Sequence, residues 1–180
     1  MGNHTLIKFT DKEVEWAIDM GKQRHGAKHS SFRETGRMGD VSKVFGGSHI
    51  LGVLGELAYE KYTGIKMDRN IYSVRDKGYD FKTSKKSGRN FKIDIKTITY
   101  NGEGEKELKV KVNEYTKKTP DEYVLVFIDK DNLKEATILG YISREDFEKN
   151  KKEKKYMYNY SSTYYIGESL LHPVKLLDIK

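Results

Sequence analysis

The stretch Phe91-Lys92-Ile93-Asp94-Ile95-Lys96-Thr97, FKIDIKT, alternates residue by residue. In an extended chain successive side chains point to opposite sides. Phe91, Ile93 and Ile95 therefore form an apolar face, and Lys92, Asp94 and Lys96 a polar one. A strand with one buried face is the direct reading. Asp94 and Lys96 then stand about 7 Å apart on the same side. An exposed ion pair would account for them. So would half of a metal-dependent catalytic site, and the surrounding sequence has to decide.

Upstream, Tyr79-Asp80-Phe81 alternates in the same way, and the turn-rich SKKSGRN, residues 84–90, links the two runs. A hairpin is expected. With its turn centred on Ser87, Asp80 and Asp94 lie opposite each other, where antiparallel partners have Cβ atoms ~5 Å apart. Carboxylates that close repel and cost stability unless a cation sits between them. A divalent ion held through oxygen answers that need. The carboxylate-x-Lys tripeptide alone selects little, because residue frequencies give roughly four chance matches. Five occur: Asp80-Phe81-Lys82, Asp94-Ile95-Lys96, Glu107-Leu108-Lys109, Glu153-Lys154-Lys155 and Asp178-Ile179-Lys180. Asp94 is set apart by its alternating strand, by Asp80 across the hairpin and by a glutamate on the preceding helix.

That helix is expected over residues 48–64, SHILGVLGELAYEKYTG, with Ser48 as N-cap, Gly64 as C-terminal stop and an apolar stripe of Ile50, Val53, Leu54, Leu57 and Ala58. Glu56 sits in this apolar passage. Gly52, one turn earlier, leaves space beside it, and His49 falls near the same face. Packed on the sheet, the helix can bring Glu56 to the hairpin.

Elsewhere, Thr10 and Glu13 form a capping box before a helix near residues 11–24. Residues 21–48 carry glycines at 21, 26, 36, 39, 46 and 47 and the cations Arg24, Lys28, Arg33, Arg37 and Lys43. They read as a loop or broken helix. Residues 107–112 suggest a short strand, 122–129 a central strand and 137–143 its neighbour. Ser143 is placed to cap a short helix through about Lys149. Residues 148–155, EKNKKEKK, read as a solvated charge run. In YMYNYSSTYY, residues 156–165, tyrosines packed on strands are favoured over a base-stacking platform. No internal repeat or second domain stands out. Helix, strands and a late short helix make an α/β or α+β core.

The 34 basic and 27 acidic residues leave a net charge of +7, which suits an anionic partner such as nucleic acid. With no cysteine, disulfides and thiolate metal sites are excluded. The spacing of His25, His29 and His49 matches no zinc pattern. No run approaches the ~20 apolar residues of a membrane span, and no signal-peptide pattern opens the chain, so an intracellular soluble protein is expected.

GELAYEKYTG (55–64), GYDF (78–81) and IDIKT (93–97) together resemble the PD-(D/E)XK nuclease superfamily in its small bacterial and phage form. The resemblance covers residues 48–98, and the later strand pair at 122–142 fits the family's sheet. It departs in having Tyr79 where a proline is usual and Asp rather than Glu at 94. It implies one domain over 1–180. The restriction-endonuclease-like core would span about 48–149, a central mixed sheet flanked by helices. An N-terminal helix and basic loop (1–47) would precede it, and a C-terminal tail (150–180) would follow. The implied activity is phosphodiester hydrolysis, on DNA before RNA, with Mg2+ as cofactor and Mn2+ as substitute. Glu56, Asp80, Asp94 and Lys96 are the implied catalytic set. Asp80, Asp94, the Ile95 carbonyl and Glu56 are the implied metal ligands. Lys82, Lys85, Lys86 and Arg89 at the hairpin tip, with Arg24, Lys28, Arg33 and Arg37, would hold the nucleic-acid backbone. A homodimer in the cytoplasm of a bacterial or phage-infected cell completes the expectation. The rivals are a non-catalytic nucleic-acid binder on the same fold and a phage-type protein-binding factor.

Overall fold

The computed structural model describes residues 4–28, 47–71, 78–84, 90–99, 104–156 and 161–174. Along them run β1 (Thr5–Lys8), α1 (Asp11–Lys28), α2 (Gly47–Thr63), β2 (Phe81–Ser84), β3 (Asn90–Ile98), β4 (Glu107–Lys111), α3 (Val112–Lys117), β5 (Glu122–Asp129), β6 (Asn132–Ser143), α4 (Arg144–Asn150), β7 (Lys152–Tyr156) and β8 (Ser161–Gly167). A mixed five-stranded sheet has the order β1-β6-β5-β3-β2, and a second sheet of three strands the order β4-β8-β7. Only β3 and β5 pair in parallel; the other strand pairs are antiparallel.

The large sheet is buried on both faces. One face, with Ile93, Ile95, Val124, Val126 and Ile138, packs under α1 and α2 through Ala17, Ile50, Val53, Leu54 and Leu57. The other, with Tyr123, Leu125 and Leu139, packs against Leu108 and Val110 of β4, Ile166 of β8, Tyr115 of α3 and Phe147 of α4. The chain is thus a single α/β domain whose mixed sheet carries helices on one side and a small sheet with two short helices on the other.

Local signals explain several boundaries. At the start of α1 the Thr10 N–H donates to Glu13 Oε2 at 2.7 Å, and the Glu13 N–H donates to Thr10 Oγ1 at 3.3 Å, the expected capping box. Ser143 Oγ accepts from the Asp146 N–H at 3.0 Å, as expected for the cap of α4. Gly64 ends α2 with φ +77, a conformation that costs other residues a Cβ clash. Ser48, expected as the N-cap of α2, lies inside the helix, which already includes Gly47. β1, α3 and β7 are additions to the expected elements. β7 comes from the charge run at 148–155, and β8 contains Tyr164 and Tyr165 of the tyrosine-rich stretch.

Two contacts fix α2 against the hairpin. Tyr59 and Phe81 are fully buried with ring centroids 4.9 Å apart, a pairing that adds ~0.5–1.5 kcal/mol beyond the area it buries. Gly55 lies so close to β3 that a Cβ there would strike the Thr97 hydroxyl and touch Ile95. Tyr59 and Gly55 bracket Glu56, and Phe81 follows Asp80. The packing that forms the core therefore also brings these two acids toward one place.

Candidate active site at the mouth of the hairpin

The hairpin register is the one expected from the sequence. Phe81 pairs with Ile93, Lys82 with Lys92, Thr83 with Phe91 and Ser84 with Asn90. Asp80, expected opposite Asp94, lies just before β2 and bonds instead to Ile93 and Ile95, the residues that flank Asp94. β2 begins at Phe81, so from Asp94 onward the outer edge of β3 has no β2 partner. Asp80 turns into that gap. Its backbone N–H donates to the Ile93 carbonyl at 2.9 Å, and its Oδ2 accepts from the Ile95 N–H at 2.6 Å. Peptide groups two apart on a strand face the same edge, so the Ile95 carbonyl looks into the gap as well.

Asp94 and Lys96 project from the sheet face shared with Tyr123 and Leu125, their in-register neighbours on β5. Asp94 is only 3% exposed. Lys96 Nζ lies 2.7 Å from Asp94 Oδ2 and 3.4 Å from Glu114 Oε2 on α3. An ammonium has three N–H donors, and these two carboxylates leave Lys96 one for a substrate. Burial works against this ammonium. Asp94, and behind it Glu114 and Asp80, outweigh that and hold its pKa above the ordinary lysine value. Lys96 is therefore a proton-bearing cation here rather than a ready base.

Glu56 approaches from α2. Arg24 Nη1 of α1 donates to its Oε1 at 2.7 Å, and Arg24 Nη2 donates to the Asp68 carbonyl at 2.7 Å. Both side chains are largely buried. Burial raises the Glu56 pKa. Arg24 pulls it back, and Asp68 and Asp94 add to the rise. The Asp80 carboxyl is pushed well above its ordinary value, first by burial, then by the charges of Asp94 and Glu56; the Ile95 N–H and Lys96 offset only part of this. Two sets of charges thus flank the start of β2, Glu56 with Arg24 on the α2 side of the sheet and Asp94 and Glu114 with Lys96 on the other, with Asp80 at the strand edge.

No group of three or more His, Asp or Glu side chains among the described residues stands in a metal-holding arrangement. Mg2+ ordinarily takes only one or two carboxylates and fills its remaining positions with water and phosphate oxygens. Asp80, Asp94 and the Ile95 carbonyl are oxygen donors of the kind such an ion takes.

The expected backbone-binding cations fare differently. Lys82 is exposed and pairs across the hairpin with Lys92. Like charges in that position are destabilising and would welcome a phosphate. Arg24 is committed to Glu56 and the Asp68 carbonyl. Lys28 is the last residue of α1. Lys85, Lys86, Arg89, Arg33, Arg37 and His29 lie outside the described residues. His25 and His49 meet edge to face, ring centroids 5.3 Å apart. The sequence reading missed Glu114, which follows Lys96 by 18 residues and joins it only through the packing of α3. It also missed the partner of Glu56, 32 residues away. No local pattern signals either contact. Comparison of the chain with protein-family models, with curated proteins and with solved structures finds no match.

Proposed function

We propose that this chain is a Mg2+-dependent nuclease of the PD-(D/E)XK kind, with a restriction-endonuclease-like core, hydrolysing phosphodiester bonds in DNA before RNA. The observation that carries this reading is the buried Asp94 with Lys96 2.7 Å away on the same strand, and Asp80 bonded to the Ile95 amide between them. An ion pair built for stability alone needs no second carboxylate held on the amide of the residue between its partners. A phosphodiester needs a cation where its charge grows and a donor beside the attacked phosphorus.

Asp80, Asp94 and the Ile95 carbonyl would hold the ion, with Glu56 reaching it directly or through water. Bound there, Mg2+ supplies Lewis-acid polarisation of a phosphate oxygen and a lowered pKa for its water. Lys96 keeps its proton and donates its remaining N–H to a phosphate oxygen or to the attacking water. Glu114 steadies Lys96 from the far side. Arg24 fixes Glu56 and ties α1 to the segment after α2. Lys82 and Lys92 meet the strand beyond the scissile position.

The test incubates plasmid, linear and branched DNA with Mg2+, comparing the wild type with Asp94→Ala and Lys96→Ala. Each substitution is expected to slow cleavage at least ~100-fold while the fold, read by circular dichroism, persists. Undiminished cleavage by both variants would overturn the assignment. Tight DNA binding in EDTA with no cleavage in Mg2+ or Mn2+ would make the chain a non-catalytic binder.

A further inference from the structure

One pocket of about 420 Å3 lies away from the hairpin mouth, in the groove between α1 and α2. Its wall is Trp16 of α1 and Leu57 of α2, and its rim carries Lys12, Lys61, Lys66 and Arg69. The Arg69 guanidinium lies over the Trp16 ring, 4.7 Å from its centroid, so one planar cation extends the indole outward. Glu60, whose side chain is 7% exposed, holds this rim in place: its Oε1 lies 3.0 Å from Lys66 Nζ and 3.1 Å from Arg69 Nη2, while its Oε2 accepts from the Met67 N–H at 3.0 Å. Glu13 does the same for Lys61 at 2.8 Å. The anchoring leaves the Lys66 side chain 81% and that of Arg69 53% exposed. The cations are positioned yet still open to a ligand.

An apolar aromatic wall under a rim of four cations suits one chemistry, a flat ring carrying a phosphate. Bases stack on indole and guanidinium planes irrespective of their identity, and phosphates take Lys and Arg. We propose that this pocket binds a nucleotide, its base against the Trp16–Arg69 wall and its phosphate between Lys12 and Lys66. Along α2 and the segment after it, the pocket neighbours residues of the candidate active site. Glu60 lies one turn beyond Glu56 on α2, about 6 Å along the axis. The residue before Arg69, Asp68, offers the carbonyl that Arg24 holds together with Glu56. A strand with a phosphate at Asp80 and Asp94 would bring a neighbouring nucleotide here, and in that respect the proposal rests on the nuclease reading. A free mononucleotide would present the same chemistry without it.

Trp16 is the chain's single tryptophan, so its fluorescence reports on this pocket alone. The experiment titrates metal-free Asp94→Ala protein with deoxyadenosine 5′-monophosphate, deoxyadenosine, inorganic phosphate and a short oligo(dA) strand. Saturable quenching by the monophosphate or by the strand, stronger than by the nucleoside or by phosphate, supports the proposal. Tighter binding of the strand assigns the site to a nucleic-acid substrate; equal or tighter binding of the monophosphate assigns it to a free nucleotide. Lys12→Ala and Lys66→Ala are each expected to weaken binding at least ~5-fold, and Lys149→Ala on α4 to leave it unchanged. No quenching by either phosphate-bearing nucleotide would overturn the proposal. Quenching insensitive to both pocket lysines, or matched by the nucleoside, would do the same. Cleavage by the wild type is measured separately, so a silent pocket in an active nuclease and an occupied pocket in an inactive protein are told apart.

Discussion

Two carboxylates near α2, Glu60 on the helix and Asp80 before β2, are treated in opposite ways. Glu60 meets an amide, an ammonium and a guanidinium, and although burial works against its ionised form, these donors bring its pKa below the ordinary value. Asp80 meets a single amide donor and two other acids, and its pKa is pushed far above the ordinary value, first by burial and then by Asp94 and Glu56. The surroundings of Glu60 are electrically closed. Those of Asp80 are short of positive charge, Lys96 offsetting only part of the rise. A folded chain keeps an acid short of a partner at a cost to its stability, and such a deficit is intelligible where a bound cation completes the set.

The contrast is broken most directly by activity. Asp80→Asn keeps shape and removes charge, and cleavage in Mg2+ is expected to fall ~1,000-fold, about 4 kcal/mol in the barrier. Glu60→Gln is expected to leave the turnover number within ~3-fold, a change below about 1 kcal/mol. Equal losses in a plasmid-cleavage time course would erase the distinction.

Stability should reverse the order. Glu60→Gln weakens the bonds to Lys66, Arg69 and the Met67 amide, and urea unfolding should show a loss of about 2 kcal/mol. The same carboxylate has a pH signature. Its folded pKa lies below the unfolded one, so its contribution is fully present above the ordinary 4.5 and is lost as pH falls through the lower folded value. Below pH 4.5 the wild type should therefore lose its advantage over Glu60→Gln, as melting temperatures of the two across pH 3 to 7 would reveal. Asp80→Asn removes a repelling charge while its amide oxygen still accepts from the Ile95 N–H. In EDTA at neutral pH it should unfold at higher urea than the wild type, by about 1 kcal/mol.

The parts of the site visible in the sequence were those set by period and by short range. Alternation assigned the faces of β3, and a symmetric turn set the register of Phe81 against Ile93 without reference to anything distant. The capping box of α1 and the Ser143 cap of α4 lie within three residues of chain, and β5 has the length and β-branched composition of a buried strand. The rest depends on contacts no period encodes. β1 is four residues whose pairing partner, β6, lies far along the chain. β7 is a run of charges that becomes a strand because β8 offers it an edge. Arg24 looked like one more cation in a basic stretch, and only the packing of α1 on α2 turns it toward Glu56. Glu114 carried no signal in a stretch where α3 itself was not expected, and only the seating of α3 beside β3 brings it to Lys96.

Glu114 supplies the finest test of the contrast, because it stands between its two terms. It lies 3.4 Å from Lys96 and its side chain is 37% exposed, so solvent screens much of its charge. While Asp94 alone holds the ammonium, Glu114 adds little. On the proposed nuclease reading, an ion would draw on Asp94, and Glu114 would be the remaining carboxylate holding the Lys96 ammonium beside the phosphate. Glu114→Gln should therefore slow the cleavage step ~3-fold, under 1 kcal/mol. The substrate concentration for half-maximal rate and the urea midpoint should stay where they were. A loss as large as that of Lys96→Ala would move Glu114 into the reacting set. A shift in the urea midpoint without a change in rate would return it to the class of Glu60, an acid whose partners serve only the fold.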